Sequence, residues 1–452
     1  MTMDERRGTR DEVMDKALLE LIRISNIVGR DSSLVQGGGG NTSVKTEDGK
    51  FMYIKASGTA LKDMNAKRGW RRMRLEPVLA IIKDRSLAKL DVHKRETEVV
   101  NRLLLACDDE VTGGARPSVE AHLHAFLDKC VIHLHPSAAG AFANAKNGKA
   151  ELVKLFKKIE NRNSGIENYL PLLWVPYTDP GFTLANRIAK LVGDYQKRFG
   201  KKPAILFLEK HGLLISGKSP NAALQLVHQV INRCNSRLKR LKTQACPRAK
   251  RRDTRLKNKP PDARDITAAK SVIRRAFFEA TGQYTTISYF FDDAIAAFLR
   301  QRNAKKLLSG VLTPDELVYA NGPAMWVDPR QRTDDRGQRA ESRRQRNLTS
   351  DLRPFDYAQG RLLISDVASR LTSQINKGEK HSVAFLVKGV GLFVAGKKKI
   401  ATTIRDIVKY SIFIRTNASR MGGILTLNKR QRDFINRWES EAFRMKVASR
   451  QG

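Results

Sequence analysis

Cys130-Val131-Ile132-His133-Leu134-His135-Pro136 reads as a short apolar strand stopped by a proline. Side chains at i and i+2 of a strand point to one face, so His133 and His135 present two imidazoles side by side. That separation suits one metal ion, and catalytic zinc sites use three protein ligands with a position left for water or substrate. Taken alone, the pair fits two structural histidines equally well. Histidine is scarce, with eight in the chain, and four of them fall between His122 and His135.

Residues 118–127 follow Pro117 and read as a helix that places Glu120 just ahead of the strand. A carboxylate near a metal can serve as ligand and general base, although a lone Glu in a first helical turn also compensates the helix dipole. A third imidazole, His211, stands between the apolar runs 204–208 and 213–215, where a polar hairpin-turn residue is the competing reading.

Outward from this centre, residues 11–27 have the spacing of an amphipathic helix, broken at residues 37–40 by four glycines. Residues 41–45 and 51–55 alternate like paired strands around Glu47, Asp48 and Gly49. Helical patterns cover 75–82, 93–107, 138–156 with a break near 147–148, 183–198 and 220–241; residues 174–176, 204–208 and 213–216 read as strands. Strands and helices mix without strict alternation. The expected class is α/β, with a central, largely antiparallel sheet flanked by helices.

Residues 242–265 are basic, contain proline and read as a linker. Helices are expected at 266–278 and 292–308, a strand at 324–327, and a poorly packed Arg-rich insertion at 330–346. Phe207 to Gly217 aligns with Phe385 to Gly396 if one extra residue is allowed, and each stretch precedes a long helical pattern. Val390 stands beside the place of His211, so the second copy can repeat the fold element but not the ligand. The expected domains are 1–241, a linker at 242–265, and 266–452 as a second, partly repeated domain.

The 452 residues are 41% hydrophobic, enough for a sizeable core, with a net charge of +38. The basic excess spreads along the chain and concentrates at 237–259 and 330–346. Neither tract has the aromatic interleaving of a single-strand binder, so specific nucleic-acid binding is not expected. No apolar run approaches a membrane span, and the charged residues 1–10 lack the apolar core of a signal peptide. Four cysteines without paired spacing suit a reducing cytoplasm.

Gly38-Gly-Gly-Asn-Thr-Ser43, Ala56-Ser-Gly-Thr59, Pro117-Ser-Val-Glu120, His133-Leu-His-Pro136, Tyr177-Thr-Asp-Pro-Gly-Phe182 and Lys210-His-Gly-Leu213 occur in that order. Together they resemble the class II aldolase/adducin family, most nearly the aldolase part of bifunctional rhamnulose-1-phosphate aldolase/alcohol dehydrogenase proteins. The likeness is strong over residues 13–235 and continues more weakly through Thr313-Pro-Asp-Glu316 and residues 323–327. It implies that His133, His135 and His211 hold Zn²⁺ or another divalent ion and that Glu120 is the catalytic acid/base. It also implies phosphate contacts from Asn41, Ser57, Gly58 and Ser118. His124 matches a helix histidine of the family, whereas His122, without a counterpart, reads as surface or as support behind the ligands.

The activity so implied is cleavage of a ketose 1-phosphate, such as rhamnulose 1-phosphate, to dihydroxyacetone phosphate and an aldehyde, in a homo-oligomer. A sugar-phosphate epimerase on the same scaffold and a non-catalytic adducin-like binding protein are the alternatives. The last of these expects the histidines to be lost, which fits only the C-terminal half. The sequence departs from the family pattern at Val119, where a second serine is common, and in the basic stretch 65–74. No catalytic tyrosine can be placed. No strand–Gly-x-Gly-x-x-Gly–helix pattern occurs, so the reductase half of the bifunctional relatives is expected to be absent. Gly212 to Ser219 fits the phosphate-loop expression letter for letter, but Leu213, Leu214 and Ile215 call for burial in a strand.

Overall fold

The computed structural model describes residues 14–109, 115–156, 172–245, 260–329 and 357–439. The expected Arg-rich insertion and most of the basic linker lie outside them. Helix α1 (Lys16–Gly29) is capped by Asp15, whose side chain accepts from the Ala17 amide. The glycine-rich loop then enters the hairpin of β1 (Asn41–Lys45) and β2 (Phe51–Lys55). Next come β3 (Trp70–Arg74), α2 (Leu75–Lys83), α3 (Val92–Leu105), α4 (Ala121–Ala125) and β4 (Cys130–Leu134). They are followed by α5 (Ser137–Ala143), α6 (Gly148–Phe156), β5 (Leu173–Val175), α7 (Phe182–Phe199), β6 (Ile205–Leu208), β7 (Gly212–Gly217) and α8 (Pro220–Ala245).

These strands form a seven-stranded sheet of order β3-β2-β1-β4-β7-β6-β5, antiparallel except between β5 and β6. The α/β, largely antiparallel architecture agrees with the sequence reading. Every residue of β4 is buried, because the sheet is covered on both faces. Cys130, Ile132 and Leu134 pack with Leu21 of α1, Phe142 of α5 and Val227 of α8. Val131 points the other way, into the layer built by Ile188 and Val192 of α7. The two-residue period therefore carries His133 to the face opposite α1, α5 and α8.

The basic stretch 65–74 contains β3, an edge strand whose positive side chains find local uses: Arg71 pairs with Asp109, and Arg72 lies over the Phe51 ring. Its outer side meets only the short stretch 106–108, through a bridge between Met73 and Cys107, and charge at such a sheet edge is compatible with a strand. The helix expected at 118–127 shrinks to α4, and Glu120 becomes its N-cap rather than a residue on the helix.

Beyond α8 the chain forms α9 (Ala263–Thr281), β8 (Ile287–Phe290), α10 (Asp293–Leu299), α11 (Ala304–Leu307), α12 (Pro314–Ala320) and β9 (Met325–Val327). It continues with α13 (Tyr357–Asn376), β10 (Ala384–Val387), β11 (Gly391–Ala395), α14 (Lys398–Ala418) and α15 (Lys429–Arg437). The one helix expected at 292–308 is split into α10 and α11. A four-stranded sheet of order β8-β11-β10-β9 results. It repeats the pairing of β4-β7-β6-β5, including the single parallel neighbour pair, β9 with β10.

The register shows that the two hairpins match without an extra residue. Leu208 pairs with Gly212 as Val387 pairs with Gly391, leaving three-residue loops. Lys210 and Gly389 are the middle residues of those loops, both left-handed at φ 57° and 76°. Val390 thus stands in the place of His211. Along β8, Tyr289 opposes Phe393 as His133 opposes Leu214.

The two sheets are joined by packing rather than by strand pairing. Tyr410 and Ile414 of α14 belong to the same apolar cluster as Phe142. Gly140 permits this approach, since a Cβ there would lie 2.7 Å from Ile414 Cδ1. No helix among the described residues is long and apolar enough to cross a membrane.

Candidate active site

The end of β4 and the β6–β7 turn bring three imidazoles together. His133 opposes Asn41 across β1 and Leu214 across β7, which places it at the sheet centre. His135 follows the last β4 residue, and His211 precedes β7. The ring centroids form a nearly equilateral triangle: 5.3 Å between His133 and His135, 5.0 Å between His133 and His211, and 5.2 Å between His135 and His211. Gly212 allows the strands to close here, because a Cβ would come within 2.8 Å of the His135 ring.

Glu120 lies against this triangle. Its Oε2 is 3.0 Å from His133 Nδ1, and its Oε1 is 3.9 Å from His211 Nε2. Burial would raise the Glu120 carboxyl, but His133, through charge and a hydrogen bond, with His211 and His124, holds it well below the usual carboxylate range. Burial pushes His211 down to about 3, helped by His133 and His135. A neutral imidazole keeps a lone pair for a metal ion.

The three histidines fit a divalent ion. One nitrogen from each lies within 4.8 Å of the others. His133 Nε2 is buried without a hydrogen-bond partner, while its Nδ1 meets Glu120. A carboxylate on Nδ1 and a bare Nε2 is the arrangement that orients a metal-binding imidazole. Three nitrogen donors suit zinc-like ions.

Next to the triangle is a polar pocket. The isolated bridge between Ala56 and Pro117 sets Ser57 and Gly58 beside Ser118. Asn41 Nδ2 donates to Ser118 Oγ at 2.7 Å, and the Glu120 amide donates to the same oxygen at 3.2 Å. With two donors already on it, the Ser118 hydroxyl is left to donate its own proton outward. Ser57, Gly58, Ser118, Glu120, His135 and His211 all line this cavity, while Asn41 reaches it through Ser118.

Several features escaped the sequence reading. Lys55 lines the cavity and donates to the Gly38 carbonyl at 3.2 Å. Trp438 and Asp315 arrive from the far end of the chain. Asp315 accepts a hydrogen bond from His135 Nδ1. The only hint of it was the weak likeness around Thr313-Pro-Asp-Glu316. His122 is not a surface residue: it is fully buried and stacks on Phe182 with centroids 6.4 Å apart. His124 is buried too, with Nδ1 2.9 Å from Ser43 Oγ. The phosphate-loop look-alike at 212–219 is mostly β7, whose amides are engaged in the sheet.

Residues 19–238 match the model of the Class II Aldolase and Adducin N-terminal domain. The first half of the chain belongs to this family. Over 459 aligned residues the chain is 25% identical to the uncharacterized oxidoreductase YuxG of Bacillus subtilis (strain 168). That match covers 96% of this chain but spans only 59% of the relative's length. Among solved structures, the N-terminal class II aldolase domain of a conserved protein from Thermoplasma acidophilum is 27% identical, covering 52% of this chain and 98% of that one with a TM-score of 0.37. L-fuculose-1-phosphate aldolase from Thermus thermophilus is 17% identical, with coverage of 50% and 97% and a TM-score of 0.30.

Proposed function

We propose that the chain is a metal-dependent class II aldolase that cleaves a ketose 1-phosphate to dihydroxyacetone phosphate and an aldehyde, with rhamnulose 1-phosphate the leading substrate. The observation that carries this reading is the convergence of His133, His135 and His211 on one point, with Glu120 against two of them and the Asn41–Ser118 pair alongside. In this reading the three imidazoles hold Zn²⁺ or a similar divalent ion. Such an ion supplies a Lewis acid for the substrate carbonyl and adjacent hydroxyl.

The protein's own groups do the rest. Ser118, Asn41, Ser57 and the Gly58 backbone bind the phosphate and fix the sugar chain. Glu120, ionised and facing the imidazoles, accepts the C4 hydroxyl proton. The C3–C4 bond breaks, C4 leaves as the aldehyde carbonyl, and the electron pair stays on the dihydroxyacetone phosphate fragment. Glu120 then returns the proton to C3.

Residues 1–241 are read as the catalytic domain, 242–265 as the connection, and 266–452 as a second, non-catalytic copy. Tyr289 and Val390 in place of His133 and His211 support that division. Thiols at Cys107, Cys130 and Cys234 are in keeping with the cytoplasm. The test is a turnover screen of ketose 1-phosphates on metal-loaded protein, with coupled detection of dihydroxyacetone phosphate. Turnover lost in Glu120→Gln is the expected result. Absence of turnover in the wild type, with metal bound, would shift the reading to an epimerase or a binding protein.

A further inference from the structure

The second unit carries Tyr289 and Val390 where the first has His133 and His211, yet its α12 reaches into the first unit's site. Asp315 and His135 are both buried, 2% and 6% exposed, and joined by a hydrogen bond from Nδ1 to Oδ2. Asp315 sits in the first turn of α12, a helix started by Pro314 and capped by Thr313, whose Oγ1 accepts from the Glu316 amide at 3.3 Å. The next residue, Glu316, is tied at both carboxylate oxygens to Arg415 Nη2 at 3.0 Å, and it accepts from the Leu312 amide at 2.6 Å. Arg415, fully buried on α14, also donates to the carbonyls of Leu307, Ser309 and Gly310. A buried arginine whose donors are satisfied in this way fixes the segment 307–316 as a rigid mount.

The first unit is shaped to receive that mount. The glycine loop runs against α12. A Cβ at Gly39 would lie 3.3 Å from both Asp315 Oδ2 and His135 Nδ1, and one at Gly38 would lie 3.0 Å from the Tyr319 hydroxyl. Larger residues there would push α12 off His135. The glycines thus serve close contact with the second unit as well as approach to an anion.

We infer that Asp315 is a positioning residue for His135, so that the second unit completes the metal site of the first. This rests on the metal reading proposed above. Accepting from Nδ1 fixes the His135 tautomer, turns Nε2 toward the other imidazoles and strengthens the ring as a ligand. His133 receives the same support from Glu120, a residue of the first unit. Asp315 offers it without being spent on proton transfer.

The test uses the full chain and measures Zn²⁺ affinity by chelator competition, together with thermal unfolding of the metal-free protein. Asp315→Ala should weaken binding by about 10–100-fold, the usual effect of removing such a support. Asp315→Asn, which can still accept from Nδ1–H but lacks the charge, should lose less. The metal-free melting temperature of Asp315→Asn should match the wild type. Wild-type affinity in both variants overturns the inference. So does a loss of affinity matched by a large drop in the metal-free melting temperature, which would assign Asp315 to folding. If the wild type binds no stoichiometric metal, or His133→Ala binds it equally well, the metal reading itself has failed.

Discussion

Val390 occupies in the second hairpin the position His211 occupies in the first, each following a left-handed residue and preceding a strand-initial glycine. The exchange is part of a wider replacement. Tyr289 takes the register position of His133, and its hydroxyl donates to the Val390 carbonyl at 3.0 Å. A phenol tied to its neighbouring backbone thus stands where the first hairpin's partner strand has an imidazole.

Val390→His should therefore leave the metal content at about one ion per chain, the count expected of one three-ligand site. His133→Ala or His211→Ala should remove most of the metal. Elemental analysis of the purified proteins decides both points. A second equivalent in Val390→His would mean that the second hairpin binds metal without counterparts of His133 and His135, against the three-ligand reading.

Glu120→Gln keeps the shape of the side chain and removes the base. The variant should fold, keep its phosphate affinity and lose about 10²–10⁴-fold in cleavage rate, the range for a lost general base. Metal affinity should also fall somewhat, because His133 loses a charged partner. Equal turnover in variant and wild type would refute the role.

Ser118→Ala removes the hydroxyl that both Asn41 and the Glu120 amide use as acceptor. Inhibition by inorganic phosphate should weaken in this variant and in Asn41→Ala, with the KM for a ketose phosphate raised more than kcat is lowered. Unchanged phosphate inhibition in both would place the anion site elsewhere.

Lys45 gives a pH signature independent of turnover. Its ammonium is buried and donates to the carbonyls of His124, Leu127 and Asp128, which end the α4 segment. Burial, with repulsion from Lys202, lowers it from 10.5 to about 7. Between those pH values the unfolded chain holds a proton that the folded chain has shed, so stability rises with pH across this window. Relative to Lys45→Met, the wild type should gain up to about 1.4 kcal/mol per pH unit there. Groups common to both proteins cancel in the difference. Urea midpoints from pH 7 to 10 that run parallel would contradict the shift.

Periodicity alone placed β1, β2 and β4 within a residue of their observed ends, and it put His133 and His135 on one face. Such strands are legible because their alternation is local and both sheet faces are buried. The strands β3 and β8 were not legible. β3 is an edge whose basic side chains lack the apolar signal, and β8 is only partly buried beyond Ile287. The helix drawn through Glu120 failed for a related reason: the chain leaves helical geometry there, and the Glu120 carboxylate lies against His133 and His211.

Local patterning carries an inventory: a His-x-His strand, a hairpin turn ending in His211, a run of glycines that permits close approach, and a second hairpin without the histidine. The tertiary structure alone decided which of these meet. Asp315 follows a proline in the first turn of a seven-residue helix, where an acid ordinarily answers the helix dipole. Only the packing of α14 on α5 and the buried Arg415–Glu316 pair carry it to His135, across 180 residues of chain. Contacts at that separation depend on how whole layers dock, and no local pattern encodes them.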